Sequence, residues 1–537
     1  NGSAELQRAE IAEAATLKGN AAYAVKDGFV NNGTIAPGNS IGTISIQGDF
    51  TNNGVISAEF MGDGSSDKII VDGTATVNGK LELTPLAGYY SGNTKIQLVE
   101  NKDGDDSKVI DNVADADISI KEASPILKLQ LVQNEDHTGL VISTEREENA
   151  YSSCAEDDLT RNIAEALDKN ATNAQGDAQQ LIGAIDFAGD RSDISAAMRK
   201  LNPAVYSSSA QAILNTHTML NNLTTLGSAS LHEKPEALRP GGGRGPASAN
   251  TNVEPKRNSW RNIVMPFSSY TDQHNGSSAY TNHNSGVLGA MERTLDNGLT
   301  LGYHAAVNHQ STSAAGGQVK GEGLYLGTQA SYAPDDWSGW SLFGSARLGV
   351  EQMRSHRTVA IGSYKGTADA DWTGYSGSLR LGTALTQEAG VVKSGPFAAL
   401  AYSFAHRPSV TEEGGAVRTH LDSANYDSLY TQLGYQLSTA PKSLDSYDST
   451  QWQAHFSAAW NHELLGDNGT TSYTLADLPG VTISDKAQNY GRDSLGLLAG
   501  VTFRTPKNLD VTLSLGSDIY RQGGSAVYGK VGLEWKF

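Results

Sequence analysis

Few residues in this chain stand where chemistry would need them. Ser40, in Gly38-Asn39-Ser40, has the small neighbours of an exposed nucleophile, but no histidine or acid lies near it in its repeat, so it reads as a turn serine. No His-Glu-x-x-His, no Gly-x-Ser-x-Gly elbow and no glycine-rich phosphate loop leading into a helix occurs. His274, His283, His304 and His309 come nearest to a metal cluster. Their spacing matches no ligand set, and His304 and His309 fall on opposite faces of an extended strand, so they read as solvated or interior histidines. Cys154 is the single cysteine, which excludes a disulfide framework and a thiolate metal site. The sequence therefore points to no catalytic residue, no metal and no cofactor. What remains are six charges set inside apolar alternation: Arg347, Arg380, Arg504, Asp510, Asp518 and Glu534.

The elements that position those charges are strands. In the last stretch, Ala526 to Phe537, residues Val527, Val531, Leu533, Trp535 and Phe537 share one face, and Tyr528, Lys530, Glu534 and Lys536 share the other. The same period of two runs through Leu299–Val307, Trp340–Val350, Leu495–Phe503 and Leu509–Ile519. About twelve such segments start near Trp260, Ser285, Leu299, Gly321, Trp340, Asp369, Pro396, Tyr426, Gln451, Gly491, Leu509 and Ala526, an even number within the range of outer-membrane barrels. Aromatics near the strand ends (Trp260, Tyr332, Trp337, Trp340, Trp372, Trp452, Trp460, Trp535) suit an interfacial girdle. Short connections near Asp296-Asn297 and Pro506-Lys507 contrast with long ones around 356–367, 408–425 and 464–490, the asymmetry of short inner turns and long outer loops. On the lipid side charge is costly, roughly 2–4 kcal/mol at mid-depth for each arginine, so all six are expected to line a wet lumen. The alternative for the last strand is the edge of a soluble sandwich.

Upstream the texture differs. After an irregular or helical lead-in over residues 1–30, Asn31-Asn32-Gly33 recurs as Asn52-Asn53-Gly54, and Val77-Asn78-Gly79 repeats the turn. Short apolar strands lie between, as in a parallel β-helix, with a hairpin sandwich as the alternative. The Asn-Gly glycines are expected to supply positive φ at the bends. Acidic Asp103–Asp106 reads as a solvated loop. Helical spacing takes over after Ser153, with Ser192-Asp193 as a cap and Asn202-Pro203 opening a longer helix to Leu226. That helix carries Ser207, Gln211, Asn215, Asn221 and Asn222, too polar for lipid and without a core-sized apolar face. It suits a barrel lumen, or else the surface of a small helical domain. Residues 232–256 are linker in composition.

The composition agrees. Net charge is -19 over 537 residues, which argues against nucleic acid. The 58 glycines with only 15 prolines suit tight β-architecture. No apolar run reaches the roughly 18 residues of a membrane helix, which leaves barrel strands open. The chain starts at Asn1 without an initiator Met or signal peptide and is read as processed or a fragment.

The stretches GTIAPGNSIGTISIQGDF (33–50) and SSDKIIVDGTATVNGKLEL (65–83) resemble the last coils of an autotransporter passenger, and the barrel region with Phe537 is similar to the autotransporter β-domain. The chain is thus similar, in the same order of parts, to the end of a classical (type Va) autotransporter. The resemblance implies a mainly β fold: a short right-handed parallel β-helix end, an α-helical linker and a 12-stranded antiparallel transmembrane β-barrel with a helix in the lumen. The expected parts are 1–150 (passenger end and autochaperone region), 151–201 (helical connector), 202–230 (pore helix with Pro203, Ser207, Gln211, Asn215 and Asn222), 231–256 (linker) and 257–537 (translocator barrel). It also implies an outer-membrane location with residues before about 200 at the cell surface, and a function in anchoring and exporting the chain's own passenger. The implied partners are outer-membrane lipid, that passenger, periplasmic chaperones and the barrel-assembly machinery, which would read Val531, Leu533, Trp535 and Phe537; the protein is expected to be a monomer. One subfamily cuts itself between two pore-helix asparagines by cyclisation of an Asn side chain. Asn221-Asn222 is such a pair, without the rest of that subfamily's motif and with a longer linker, so the alternative is two polar residues facing a wet lumen. Two other functions stay open: a surface adhesin or biofilm factor, with the acidic coil near Asp63–Asp67 as its polar feature, and the remnant of a surface protease or esterase whose catalytic part precedes Asn1.

Overall fold

The computed structural model describes residues 2–91, 94–114, 117–121, 124–133, 140–231, 260–274, 279–444, 450–465, 469–486, 492–505, 509–520 and 523–536. The linker 232–256, Pro506-Lys507 and Phe537 lie outside the described residues.

Three five-stranded parallel sheets form the faces of a β-helix. One face stacks Gly2–Leu6, Ala21–Val25, Thr43–Gln47, Lys68–Val71 and Val99–Asn101; the second stacks Ala9–Ile11, Phe29–Asn31, Phe50–Asn52, Ala75–Val77 and Val109–Asp111; the third stacks Thr16–Gly19, Thr34–Pro37, Val55–Phe60, Lys80–Pro85 and Ile118–Ile120. The lead-in expected over 1–30 is therefore strand, part of the first coils. Alternate residues turn inward, so Ile44, Ile46, Ile69 and Val71 of one face meet Phe29, Phe50, Ile35, Ile56 and Leu81 of the others in one core. The Asn-Gly glycines play a different part from the expected one. Gly28 and Gly48 have positive φ, whereas Gly33, Gly54 and Gly79 do not. A Cβ on Gly54 would strike the carbonyl oxygen of Gly33, and one on Gly79 that of Gly54, so close coil stacking selects glycine there. An antiparallel sheet of Thr94–Ile96, Leu140–Arg146 and Leu127–Gln133 ends this region.

Four α-helices follow: α1 (Asp158–Asn170), α2 (Asp177–Asp186), α3 (Arg191–Arg199) and α4 (Val205–Leu231). The cap of α3 is Asp190, which accepts from the amides of Ser192 and Asp193, rather than the expected Ser192-Asp193. The long helix starts at Val205, not at Pro203. Asn202 does not cap it; its side-chain amide donates to Asp485 at 2.9 Å.

Twelve antiparallel strands then close on themselves: β1 (Trp260–Gln273), β2 (Tyr280–Thr294), β3 (Leu299–Ala314), β4 (Gly317–Tyr332), β5 (Trp340–Ile361), β6 (Tyr364–Leu385), β7 (Val392–Arg407), β8 (Ala424–Thr439), β9 (Gln451–Glu463), β10 (Asp493–Arg504), β11 (Leu509–Tyr520) and β12 (Gly524–Lys536). Each pairs with the next, and β12 pairs with β1 from Arg261↔Lys536 to Gln273↔Gly524, which leaves this ring no open edge. The outward side chains are apolar, among them Leu301, Tyr303, Val307, Leu324, Leu348, Leu379 and Leu515, all exposed; the inward alternates are buried. Two expectations fail. Residues 356–367 are not a long loop but the ends of β5 and β6, which turn over at Gly362-Ser363 and project as a hairpin. Trp372 is not in a girdle; it is buried inside, with its ring centroid 5.1 Å from that of Tyr206.

The connections 408–423 and 464–492 carry structure of their own. Val410–Thr411, Thr419–Leu421, Thr470–Leu475 and Leu478–Lys486 form a four-stranded sheet over one mouth of the barrel. The connector helices sit on it. Lys169 Nζ donates to the carbonyl of Gly480 at 2.9 Å, Asn170 to that of Pro479 at 3.0 Å, and Asp177 accepts from the amide of Ala416 at 2.6 Å and from the Tyr364 hydroxyl at 3.0 Å. Ile163, Leu167, Leu181, Ile185 and Leu201 share one core with Val359, Ile361, Val417, Leu475, Leu478 and Ile483. Helices and sheet together make a lid.

Candidate functional site: the filled lumen

Helix α4 runs from the lid into the lumen and is gripped along its length. Near the lid, the Tyr206 hydroxyl contacts Ser355 Oγ at 2.7 Å and donates to Glu412 at 2.9 Å. Glu412 also takes two hydrogen bonds from Arg357, at 2.7 and 2.8 Å, all within a buried cluster. About two and a half turns further, Asn215 donates to the Tyr280 hydroxyl and Asn284 to Thr216, both at 2.9 Å. His217 Nε2 lies 2.8 Å from Ser376 Oγ, and Ser376 donates to Glu351. The acid meets the serine rather than the imidazole, so the three do not form a charge-relay triad.

Deeper still, Asn221 donates to Ser378 Oγ at 2.9 Å, its side-chain oxygen accepts from Arg347 Nη1 at 3.3 Å, and its carbonyl accepts from Arg380 Nη1 at 2.9 Å. Asn222 donates to the Tyr528 hydroxyl at 3.4 Å, and buried Lys530 donates to the carbonyl of Leu223 at 3.2 Å. Pro203 and Ser207 are buried at the head of the helix, where Ser207 returns its hydroxyl to the carbonyl of Ala204 at 2.9 Å, and Gln211 is half-buried.

Five of the six strand charges fall into two groups. Arg347 and Arg380 reach the helix at Asn221. Arg504, Asp510 and Glu534 lie near the far mouth, Arg504 3.8 Å from Asp510 and Glu534 3.3 Å from Arg261. Asp518 is buried on the inner face, and its Oδ1 has no hydrogen-bond partner among the described residues. Val531 and Leu533 face outward and Trp535 is half-exposed.

Sequence reasoning missed an apolar seam inside the lumen. Met219, Leu220 and Leu223 pack against Ile263, Met265, Phe267, Leu288, Ala306 and Tyr325. The signal was available in strands apolar on both faces: Ile263, Val264, Met265, Pro266 and Phe267 run without a polar residue. The lid was missed as well. At its joint with the β-helix, buried Asp186 accepts from Arg146 at 2.7 Å and from the Tyr151 hydroxyl at 2.5 Å. Burial pushes the Asp186 carboxyl above its ordinary range, and the Arg146 guanidinium pulls it back.

A closed transmembrane barrel whose lumen is occupied by a helix that leads to folded structure at one mouth defines a translocator. Residues 264–516 match the autotransporter beta-domain family. The barrel is an autotransporter β-domain, and the chain carries the translocator unit of a classical autotransporter of the outer membrane. Among curated proteins, an extracellular serine protease of Serratia marcescens is 21% identical over 94% of this chain and 50% of its own length, so the chain spans about half of that relative. Among solved structures, the translocator domain of the autotransporter NalP from Neisseria meningitidis aligns with 63% of this chain and 100% of its own, at 13% identity and a TM-score of 0.46. The β-domain of the Bordetella autotransporter BrkA aligns with 52% of this chain and 100% of its own, at 17% identity and a TM-score of 0.38.

Proposed function

We propose that the barrel anchors and exports the part of the protein that precedes it, displaying residues before about 200 at the cell surface. The single observation that carries this reading is the helix α4, which joins the lid at one mouth to the interior of the barrel. The barrel acts as a monomer whose export-competent form is assembled with periplasmic chaperones and the barrel-assembly machinery, the outward residues Val531, Leu533 and Trp535 with Phe537 being the segment read. Protease added to intact cells is expected to remove residues before about 200 and spare 260–536. Protection of the N-terminal part would overturn the display. An adhesin role for the β-helix predicts loss of adhesion when residues 28–145 alone are deleted. An upstream enzyme, as the Serratia relative suggests, predicts a catalytic domain in the precursor before Asn1.

A second reading has its own observation. In self-cleavage, Asn221 Nδ2 attacks its own carbonyl carbon, the bond to Asn222 breaks, and the amine of Asn222 leaves with the proton. The Arg380 guanidinium, already on that carbonyl oxygen, would hold the developing oxyanion. Intact-mass analysis of the isolated protein should show fragments ending at Asn221 and beginning at Asn222, both lost in N221S. A single uncut chain would rule this out.

A further inference from the structure

The β-helix carries a ladder of asparagines on its surface. Asn112 donates its side-chain amide to Asn78 at 2.8 Å, Asn78 to Asn53 at 3.4 Å, Asn53 to Asn32 at 3.0 Å, and Asn32 to Glu10 at 2.9 Å. Three of the rungs, Asn32, Asn53 and Asn78, precede glycine. Coil stacking imposes those glycines, because a Cβ at Gly54 or Gly79 would strike the carbonyl above it. Glycine is also the neighbour that least hinders attack of its own nitrogen on the asparagine amide carbon. The stacking demand therefore creates a chemical liability at every turn.

The three turns are not equally guarded. The Gly33 amide donates to Asn31 Oδ1 at 3.2 Å, and the Gly54 amide donates to the Asn31 carbonyl at 2.9 Å. These bonds hold each nitrogen and its proton away from the side chain. At the third turn Asn78 N reaches the Asn52 carbonyl at 2.9 Å, while the Gly79 amide makes no hydrogen bond among the described residues. Part of the reason lies in the sequence: Asn31 and Asn52 form an inner rung, joined at 2.6 Å, and the next residue in that register is Val77, which offers no side-chain acceptor of the kind that holds the Gly33 amide. Asn78 is exposed, and its bond to Asn53 is the longest in the ladder.

We propose that Asn78 is a deamidation site built into the coil stack. Gly79 N attacks Asn78 Cγ, the nitrogen gives its proton to water, and Nδ2 takes a proton from water and leaves as ammonia. Water then opens the succinimide at either carbonyl, giving aspartate or isoaspartate at position 78. The product keeps the acceptor for Asn112 but loses the donor to Asn53 and sets a carboxylate against Asn53 Oδ1. The isoaspartyl form adds a backbone carbon where Gly79 has no room against Gly54. The modification thus marks and loosens one junction, between the coils that turn at Gly54 and Gly79.

The test is site-resolved peptide mass spectrometry of the full chain in detergent, aged at mildly alkaline pH, beside the same chain unfolded in guanidinium. In the unfolded chain the three Asn-Gly sites should react at comparable rates. In the folded chain Asn78 should lose its amide several-fold faster than Asn32 and Asn53, and N78Q should remove that early product without hastening the other two. Equal rates at the three folded sites, Asn32 or Asn53 reacting first, or no reaction at Asn78 while the unfolded chain goes to completion would each overturn the assignment.

Discussion

Removing one carboxylate at the mouth of the barrel should loosen the lid. Glu412 is fully buried and accepts five hydrogen bonds: two from Arg357, one from the Tyr206 hydroxyl, and one each from the amide and hydroxyl of Thr419. Arg357, with 2% of its surface exposed, has the carbonyl of Val417 as its other acceptor, at 2.7 Å. In Glu412→Ala that guanidinium keeps its charge and loses its counter-charge, a situation that costs about 3–5 kcal/mol. At about 1.4 kcal/mol per tenfold, opening of the lid should become roughly a hundred to a few thousand times more frequent. Hydrogen exchange of the amides in Val410–Thr411 and Thr419–Leu421 reads this directly, because those strands pair only within the lid sheet. The pair Arg357→Met with Glu412→Leu removes both charges and should return exchange to within about 1 kcal/mol of the parent, since a buried ion pair can be replaced by apolar groups at little cost. Unchanged exchange in Glu412→Ala, or a double variant no better than the single, would refute the account of this cluster.

Three further outcomes are expected. Leu348, 68% exposed on the outer face, lies in the apolar band, so Leu348→Arg should cost about 2–4 kcal/mol and lower the yield of heat-modifiable folded barrel on gels. The Tyr473 hydroxyl is buried without a partner among the described residues, so Tyr473→Phe should leave the lid unchanged or stabilise it by about 1 kcal/mol in the same exchange measurement. Asp67, buried in the β-helix, has its pKa raised by burial to about 6. The folded state therefore holds the proton more tightly than the unfolded one. The stability it contributes is full below the ordinary carboxylate value and lost as pH rises through about 6. Thermal unfolding of the β-helix between pH 4 and 7 should show that fall, and Asp67→Asn should flatten it.

The strands were legible because lipid outside and helix inside impose a period of two that charge violations would betray: Arg347 between Ala346 and Leu348 is decisive by itself. Segment starts at Trp260, Leu299, Trp340, Gln451 and Leu509 coincide with the strands. The hairpin of β5 and β6 was misread because there the outward residues turn polar, as at Arg354 and His356, while the apolar Val359 and Ile361 face inward, so the pattern inverts although the ladder continues to Ile361↔Tyr364. The lid was invisible for another reason. Its strands are short and its core is assembled from Leu167, Ile185, Val417 and Ile483, residues far apart in the chain whose partnership no local pattern records. In the lumen, polarity is what singled out Asn215, Asn221 and Asn222 on the helix. The seam of Met219, Leu220 and Leu223 was hidden among them because an apolar interior and an apolar exterior look alike on one strand.

The junction between β1 and β12 makes the plug captive. Once those two strands zip, the helix is a bolt whose head is the folded lid and whose shank is ringed by continuous hydrogen bonds. Traction on the exposed coils would load the lid and the projecting walls of β5 and β6 before it strained the amides inside.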